Sequence, residues 1–116
     1  MTNIIICGPL DWAEKVSDKL LSSYDVLTTI IDSHTESFST SLDRRTIKKG
    51  DVFLFDMDDR HPYTFILLGM AYALDLTVVA IMGAKPVALQ LDYVYEQMTE
   101  DWFNEDELIE EIGEYI

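Results

Sequence analysis

Residues 50–83, GDVFLFDMDDRHPYTFILLGMAYALDLTVVAIMG, decide the fold of this chain. The apolar run at 51–57 predicts a buried strand, and the acidic residues after it predict a loop. Pro62 suits the first turn of a helix, where its missing N–H is not needed. Residues 65–74 are apolar on every face, so we expect a wholly buried helix, inside the fold or against another subunit. Residues 77–82 predict the next strand.

Elements of the same two kinds flank this stretch. An apolar run at 3–7 predicts a first strand that ends at Gly8 and Pro9, and residues 24–31 predict a second. The further elements predicted are a helix at 11–22 with a capping box of Asp11 and Glu14, a loop at 32–41, a weak helix at 42–49, an ambiguous segment at 84–98, a short strand at 102–103 and a last helix capped by Asn104 and Glu107. This alternation predicts one α/β domain, 1–116, with a small doubly wound parallel sheet sandwiched by helices, of the Rossmann or flavodoxin-like type.

Composition restricts the classes of function. The chain has 116 residues and a net charge of −14, and a field of that sign repels nucleic acids and anionic membranes. Cys7 is the only cysteine, so no intrachain disulfide can form. Neither a signal peptide nor an apolar run long enough to span a bilayer is evident. We therefore expect a cytoplasmic protein that binds neither nucleic acid nor membrane directly.

The charges are distributed unevenly along the chain. The acidic C-terminal segment, 92–116, contains ten acidic residues and no Lys or Arg. The one basic patch is formed by Arg44, Arg45, Lys48 and Lys49. The acidic segment is either a solvated surface that keeps the protein soluble or an interaction surface for a basic protein partner.

Several short motifs are similar, in the same order, to those of the nucleoside 2-deoxyribosyltransferase family. They are Ile-Ile-Ile-Cys7-Gly8-Pro9 at the first strand, Arg45 with Ile47 before the third, Thr64 and Gly69 in the apolar helix, and Trp102-Phe103-Asn104-Glu105-Asp106-Glu107-Leu108 near the end. The resemblance implies the same fold and a cleft that holds a nucleoside. It also implies that a Glu attacks the anomeric carbon, forming a covalent deoxyribosyl intermediate, while an Asp after the third strand holds the base or the sugar.

The nucleophile of that family has no counterpart here. Leu67 stands where the Glu is expected, and Tyr63 replaces the Gly that precedes Thr64. A Leu side chain cannot bond to carbon and leave again, and the Tyr63 ring should crowd the loop where a sugar would sit. We therefore expect no catalytic residue, no cofactor and no metal. The ligand-binding site that the resemblance implies consists of Gly8, Pro9, Asp56, Asp58 and Thr64.

Three functions remain compatible with the sequence. The chain is a nucleoside- or nucleotide-binding protein without transferase activity, an acidic interaction factor that binds a basic surface of a partner protein, or a residual N-glycoside hydrolase or transferase that uses Asp56 or Asp58.

The apolar helix at 65–74 predicts self-association, as a dimer. We interpret Cys7, at the end of a buried strand, as a packed thiol. His34 and His61 share no motif, so we interpret them as surface or capping residues.

Overall fold

The computed structural model describes residues 1–35, 39–59 and 61–81, together with the backbone of 102–103. Strands and helices alternate along the chain, as predicted. The elements are β1 Asn3–Gly8, α1 Leu10–Ser23, β2 Leu27–Asp32, α2 Thr40–Lys48, β3 Val52–Asp56, α3 Pro62–Ala73, β4 Thr77–Ile81 and β5 Trp102–Phe103.

The strands form one parallel sheet in the order β2-β1-β3-β4-β5. β1 lies at the centre of the N-terminal half, pairing with β2 on one side and with β3 on the other. The chain therefore leaves β1 in one direction along the sheet and later continues in the other, which is the doubly wound topology. The predicted fold class and the short strand at 102–103 are confirmed.

Alternate residues of each strand enter two separate cores. Ile4 and Ile6 of β1 pack with the apolar side of α1, on Val16 and Leu20. Ile5 belongs to the core on the opposite face, which α2 and α3 cover. All five of these side chains are at most 1% exposed. This explains why the strands read as continuous apolar runs, since each strand is covered on both faces.

The structure corrects the predicted start of α1. The helix begins at Leu10, Pro9 is its N-cap, and no side chain caps it, so the predicted capping box of Asp11 and Glu14 is wrong. The carbonyl of Pro9 already accepts the first helical hydrogen bond, from the N–H of Ala13 at 2.9 Å. The helix therefore starts before Asp11 can act as a cap.

The predicted bounds of β2 and α2 also change. Tyr24 is the C-cap of α1, because its N–H donates to the carbonyl of Leu20, and β2 begins three residues later at Leu27. The helix α2 begins at Thr40 because the hydroxyl of Ser39 caps it, accepting a hydrogen bond from the N–H of Leu42 at 3.3 Å. The predicted start at residue 42 missed this Ser cap, which local sequence could have shown.

Helix α3 has the predicted Pro62 in its first turn and His61 as its N-cap. Its burial is one-sided within the chain, contrary to the expectation of burial on every face. Leu67 is 0% exposed, whereas Ile66 is 51% and Tyr72 is 56% exposed. A helix that lies on a sheet can contact the sheet along one stripe only, whatever the composition of its other side.

Some predictions lie outside the described residues. These are the ambiguous segment at 84–98, the helix capped by Asn104 and Glu107, and most of the acidic segment at 92–116. Among the described residues, no helix combines the length and apolar character needed to cross a membrane.

Candidate functional site

The strand order reverses between β1 and β3, and parallel sheets of this kind hold ligands at the carboxyl ends of the strands at that point. Gly8 ends β1 and Asp56 ends β3. A Cβ atom placed on Gly8 would lie 3.1 Å from Cβ of Asp56 and 2.6 Å from Cε3 of Trp12. Only a glycine allows the Trp12 ring and Asp56 to approach β1 this closely. We call the carboxyl ends of β1, β2 and β3, with the residues 32–34 and 56–59, the carboxyl edge.

Asp56 is the carboxylate at the centre of the carboxyl edge. Burial raises the pKa of Asp56 to about 6, although the backbone N–H of Asp58 opposes this by donating to Oδ1 at 3.0 Å. The negative charges of Asp58 and Asp59 raise the pKa further. With a pKa of about 6, the Asp56 carboxyl group is mostly ionised at neutral pH and accepts hydrogen bonds, and it becomes a donor as well when the pH falls below about 6.

Asp59 connects the ends of β2 and β3. One of its carboxylate oxygens accepts a hydrogen bond from the hydroxyl of Ser33 at 2.9 Å, and the other lies 2.5 Å from Nε2 of His34. Ser33 is fully buried, and its N–H donates to the carbonyl of Gly8 at 3.0 Å. The hydrogen bond to Asp59 raises the pKa of His34. These contacts hold the loops after β2 and β3 against the end of β1.

His61 adds a second imidazole to the carboxyl edge. Its Nδ1 accepts a hydrogen bond from the N–H of Tyr63 at 3.2 Å, which confirms the interpretation of His61 as a capping residue. In the neutral ring the proton is then on Nε2, so that nitrogen is a donor. The rings of His34 and His61 lie 4.6 Å apart. Sequence reasoning missed this contact, because the two residues are brought together only by the pairing of distant strands.

Thr64 lies below the carboxyl edge rather than on its surface. It is 1% exposed, and the thiol of Cys7 donates to its hydroxyl at 3.9 Å. Burial raises the pKa of Cys7 to about 12, so the thiol stays protonated, as expected of a packed cysteine. Of the five predicted site residues, Gly8, Pro9, Asp56 and Asp58 are at the ends of β1 and β3, while Thr64 supports them from the core.

The two departures from the deoxyribosyltransferase pattern both lie in the core. Leu67 is 0% exposed and packs in the cluster that includes Cys7 and Met57. Tyr63 is 2% exposed, and its hydroxyl donates to the carboxylate of Asp43 on α2. Burial, together with this bond to a negative charge, raises the pKa of Tyr63. The ring thus joins α3 to α2, which the sequence did not predict.

A groove of about 360 Å³ lies between β2 and α2. Its lining includes Asp32 of the carboxyl edge and Asp43, the partner of Tyr63. None of the predicted site residues is among its described lining residues. In the described part of the chain, no group of three His, Cys, Asp or Glu residues has the arrangement of a metal site.

Solved structures with the same fold include proteins of different kinds. The CMP N-glycosidase BcmB of Clostridium botulinum aligns with a TM-score of 0.65 and 18% identity, over 97% of this chain and 99% of that one. CpaE of Burkholderia thailandensis E264, a protein assigned to pilus assembly, aligns with a TM-score of 0.68 and 13% identity, over 99% and 98%. No protein-family model and no curated protein matches the sequence. At these identities the similarity shows the fold alone.

Proposed function

We propose that the carboxyl edge binds a nucleoside or nucleotide and that the protein does not transfer its sugar. The observation that carries the proposal is the close approach of Gly8, Trp12 and Asp56 at the point where strand order reverses. The fold that the protein shares with a CMP N-glycosidase supports the same class of ligand. This edge is where sheets of this topology bind ligands.

The side chains of the edge suit the parts of a nucleoside. The half-buried ring of Trp12 offers a face on which a base can stack. The Asp56 carboxyl, with its pKa near 6, can bond to a sugar hydroxyl or to the edge of a base. His61 supplies an N–H donor from Nε2, next to the ring of His34.

The absence of transfer follows from what position 67 contains. A covalent glycosyl intermediate requires a carboxylate that can attack the anomeric carbon. Leu67 provides none and is enclosed by the core. The carboxylates of Asp56 and Asp59 precede α3 and are engaged within the carboxyl edge instead, Asp56 with the N–H of Asp58 and Asp59 with the Ser33 hydroxyl and the His34 ring.

The proposal is tested by a thermal-shift screen of nucleosides, nucleotides and nucleotide sugars. A ligand at 100 times its Kd should stabilise the protein by about 2.7 kcal/mol. Asp58→Ala should weaken the shift and leave the melting temperature of the free protein almost unchanged, because Asp58 is exposed. Asp25→Ala, another exposed Asp, just before the amino end of β2, is the matched control and should leave the shift intact. A screen with no stabilising compound would contradict the proposal.

The second candidate function is an acidic protein-interaction factor. It is supported by the net charge of −14, and the sharing of this fold with CpaE is compatible with a role outside nucleoside chemistry. Under this alternative, a basic partner recovered by pull-down should dissociate as salt is raised, because screening weakens exposed charge pairs. Recovery of such a partner together with a negative ligand screen would favour this function over the first.

A further inference from the structure

Helix α2 presents a stripe of positive charge to the solvent. Arg44, Arg45 and Lys48 are exposed and follow Ser41 with the spacing i, i+3, i+4 and i+7, which places them on one side of the helix. The buried Ile47 points away from this side, into the core. We call Arg44, Arg45 and Lys48 the basic stripe.

The charge of the basic stripe is not compensated within the described part of the chain. None of the three side chains makes an ion pair there, although the protein as a whole carries a net charge of −14. Together with Ser41 the stripe lines a shallow cavity of about 240 Å³. Like charges at i, i+3 and i+4 repel one another, so an anionic partner would stabilise this face of α2.

The chain also contains a stripe of opposite charge, in which Glu110, Glu111 and Glu114 repeat the spacing of Arg44, Arg45 and Lys48. Glu107, Glu110, Glu111 and Glu114 also follow the pattern i, i+3, i+4 and i+7. They belong to the last helix that the sequence predicts, which lies outside the described residues. We call these four residues the acidic stripe. In a helix, the acidic stripe would extend over two turns and about 10 Å, and the basic stripe extends over about one turn and about 6 Å.

We propose that the basic stripe of one copy of the protein binds the acidic stripe of a second copy. Three acidic positions repeat the spacing of the three basic ones with opposite charge, and both halves of the interface are encoded in one sequence. The two stripes also follow strands at opposite ends of the sheet. Helix α2 comes after β2, whereas residues 104–116 come after β5. Each copy offers both halves of the contact, so the pairing can close reciprocally in a two-fold dimer or continue head to tail into rings and open assemblies.

The test is a zero-length carbodiimide cross-link between ¹⁴N- and ¹⁵N-labelled copies of the full chain, mixed in equal amounts. Carbodiimide joins an ammonium group to a carboxylate only where the two are in contact. We expect peptides in which Lys48 of one isotope is linked to Glu107, Glu110, Glu111 or Glu114 of the other. Links between residues of the same isotope alone would show an intramolecular contact, and they would overturn the proposal, as would the absence of any link from Lys48.

Charge reversal gives the matched variants. Arg44→Glu with Arg45→Glu should reduce the mixed-isotope signal about tenfold or more, because it places like charges opposite each other. Lys15→Glu with Lys19→Glu changes the net charge equally on α1, on the opposite face of the sheet, and should leave the signal unchanged. Adding Glu110→Arg and Glu111→Arg to the first variant should restore the links from Lys48. Failure of this rescue in chains that remain folded by circular dichroism would overturn direct pairing of the stripes.

Discussion

The chemical character of the site depends on single side chains that are held in unusual surroundings. Asp56 is the clearest example, because it ends a strand, is partly buried and lies near two further carboxylates. Its folded-state pKa of about 6 is above the ordinary value of 3.8. The folded protein therefore binds this proton more tightly than the unfolded chain does. The stability that the proton contributes is present below the ordinary value and is lost as the pH rises through about 6.

We predict that Asp56→Asn stabilises the protein at pH 7.5 by about 1–2 kcal/mol, a value reduced for the partial solvent access of this group. Asn keeps an oxygen that can accept the hydrogen bond from Asp58. The measurement is the melting temperature of both proteins between pH 4 and pH 8. The gap between them should narrow as the pH falls below about 6 and be nearly closed at pH 4, close to the ordinary pKa of 3.8, where Asp56 approaches neutrality in the unfolded chain as well. A gap that is constant with pH would contradict the raised pKa of Asp56.

His34 shifts stability in the same direction with pH. Its pKa is raised by the hydrogen bond to Asp59. The stability from this contact is complete below the ordinary pKa of His34 and is lost as the pH rises through the raised value. Asp56→Asn leaves this second decline in place, so the variant should still lose stability as the pH rises above the ordinary pKa of His34.

Substitutions at position 67 test whether this residue is a catalytic position that lacks its Glu or a position of the hydrophobic core. Because Leu67 is 0% exposed, we predict that Leu67→Glu destabilises the fold by about 3 kcal/mol or more and does not create base exchange. Leu67→Met should cost less than about 1.5 kcal/mol, since it conserves volume. Leu21→Glu, at a position that is 50% exposed, is the surface control and should cost little. Urea unfolding gives the free energies, and chromatography of a deoxynucleoside with a free base tests exchange. Robust exchange by a stable Leu67→Glu protein would refute this account.

At the scale of elements, sequence predicted the type of each helix and strand better than its limits. Alternating apolar and polar blocks were enough to identify β1, β3, β4 and α3. Their ends depended on caps, such as Pro9 and Ser39, whose role is set by the backbone around them.

The five site residues were predicted from the carboxyl ends of the predicted strands and from the resemblance to a known family. Four of them are at the ends of β1 and β3 in the structure. The contacts of Ser33, His34 and Asp59 could not be predicted, because they join loops that are 25 and 26 residues apart in sequence.

Self-association through the exposed side of α3 remains a prediction. Gly69 lies among Ile66 and Tyr72 on this side, and no described atom is within 4 Å of a Cβ placed on it, so a second helix could approach closely. We predict that Ile66→Glu combined with Tyr72→Glu shifts sedimentation toward the 13.3 kDa monomer. The matched control is Leu42→Glu, at an exposed Leu of α2. A wild-type protein that sediments as a monomer at about 100 μM, a concentration at which interfaces of micromolar affinity are formed, would contradict association through α3.

At the scale of the whole molecule, the two proposed kinds of contact, with a small molecule and with other protein chains, involve different groups of residues. The carboxyl ends of β1, β2 and β3 collect the groups that can recognise a small molecule. The basic stripe of α2 and the exposed side of α3 are the surfaces that we propose for contacts with other protein chains. A net charge of −14 affects both, because it disfavours nucleic acids and makes local clusters of positive charge the preferred contacts of acidic segments.

The central claim is that the carboxyl edge binds a nucleoside or nucleotide without breaking the bond between its base and its sugar. The most direct measurement is an NMR titration of ¹⁵N-labelled protein, with the ligand spectrum recorded in the same tube. We use the compound that gives the largest thermal shift. We predict that the amide signals of Gly8, Ser33 and Asp58 move with the ligand while that of Asp25 does not, and that the anomeric proton of the ligand stays unchanged for hours. Signals that move only outside the carboxyl edge, or the appearance of free base, would contradict the account.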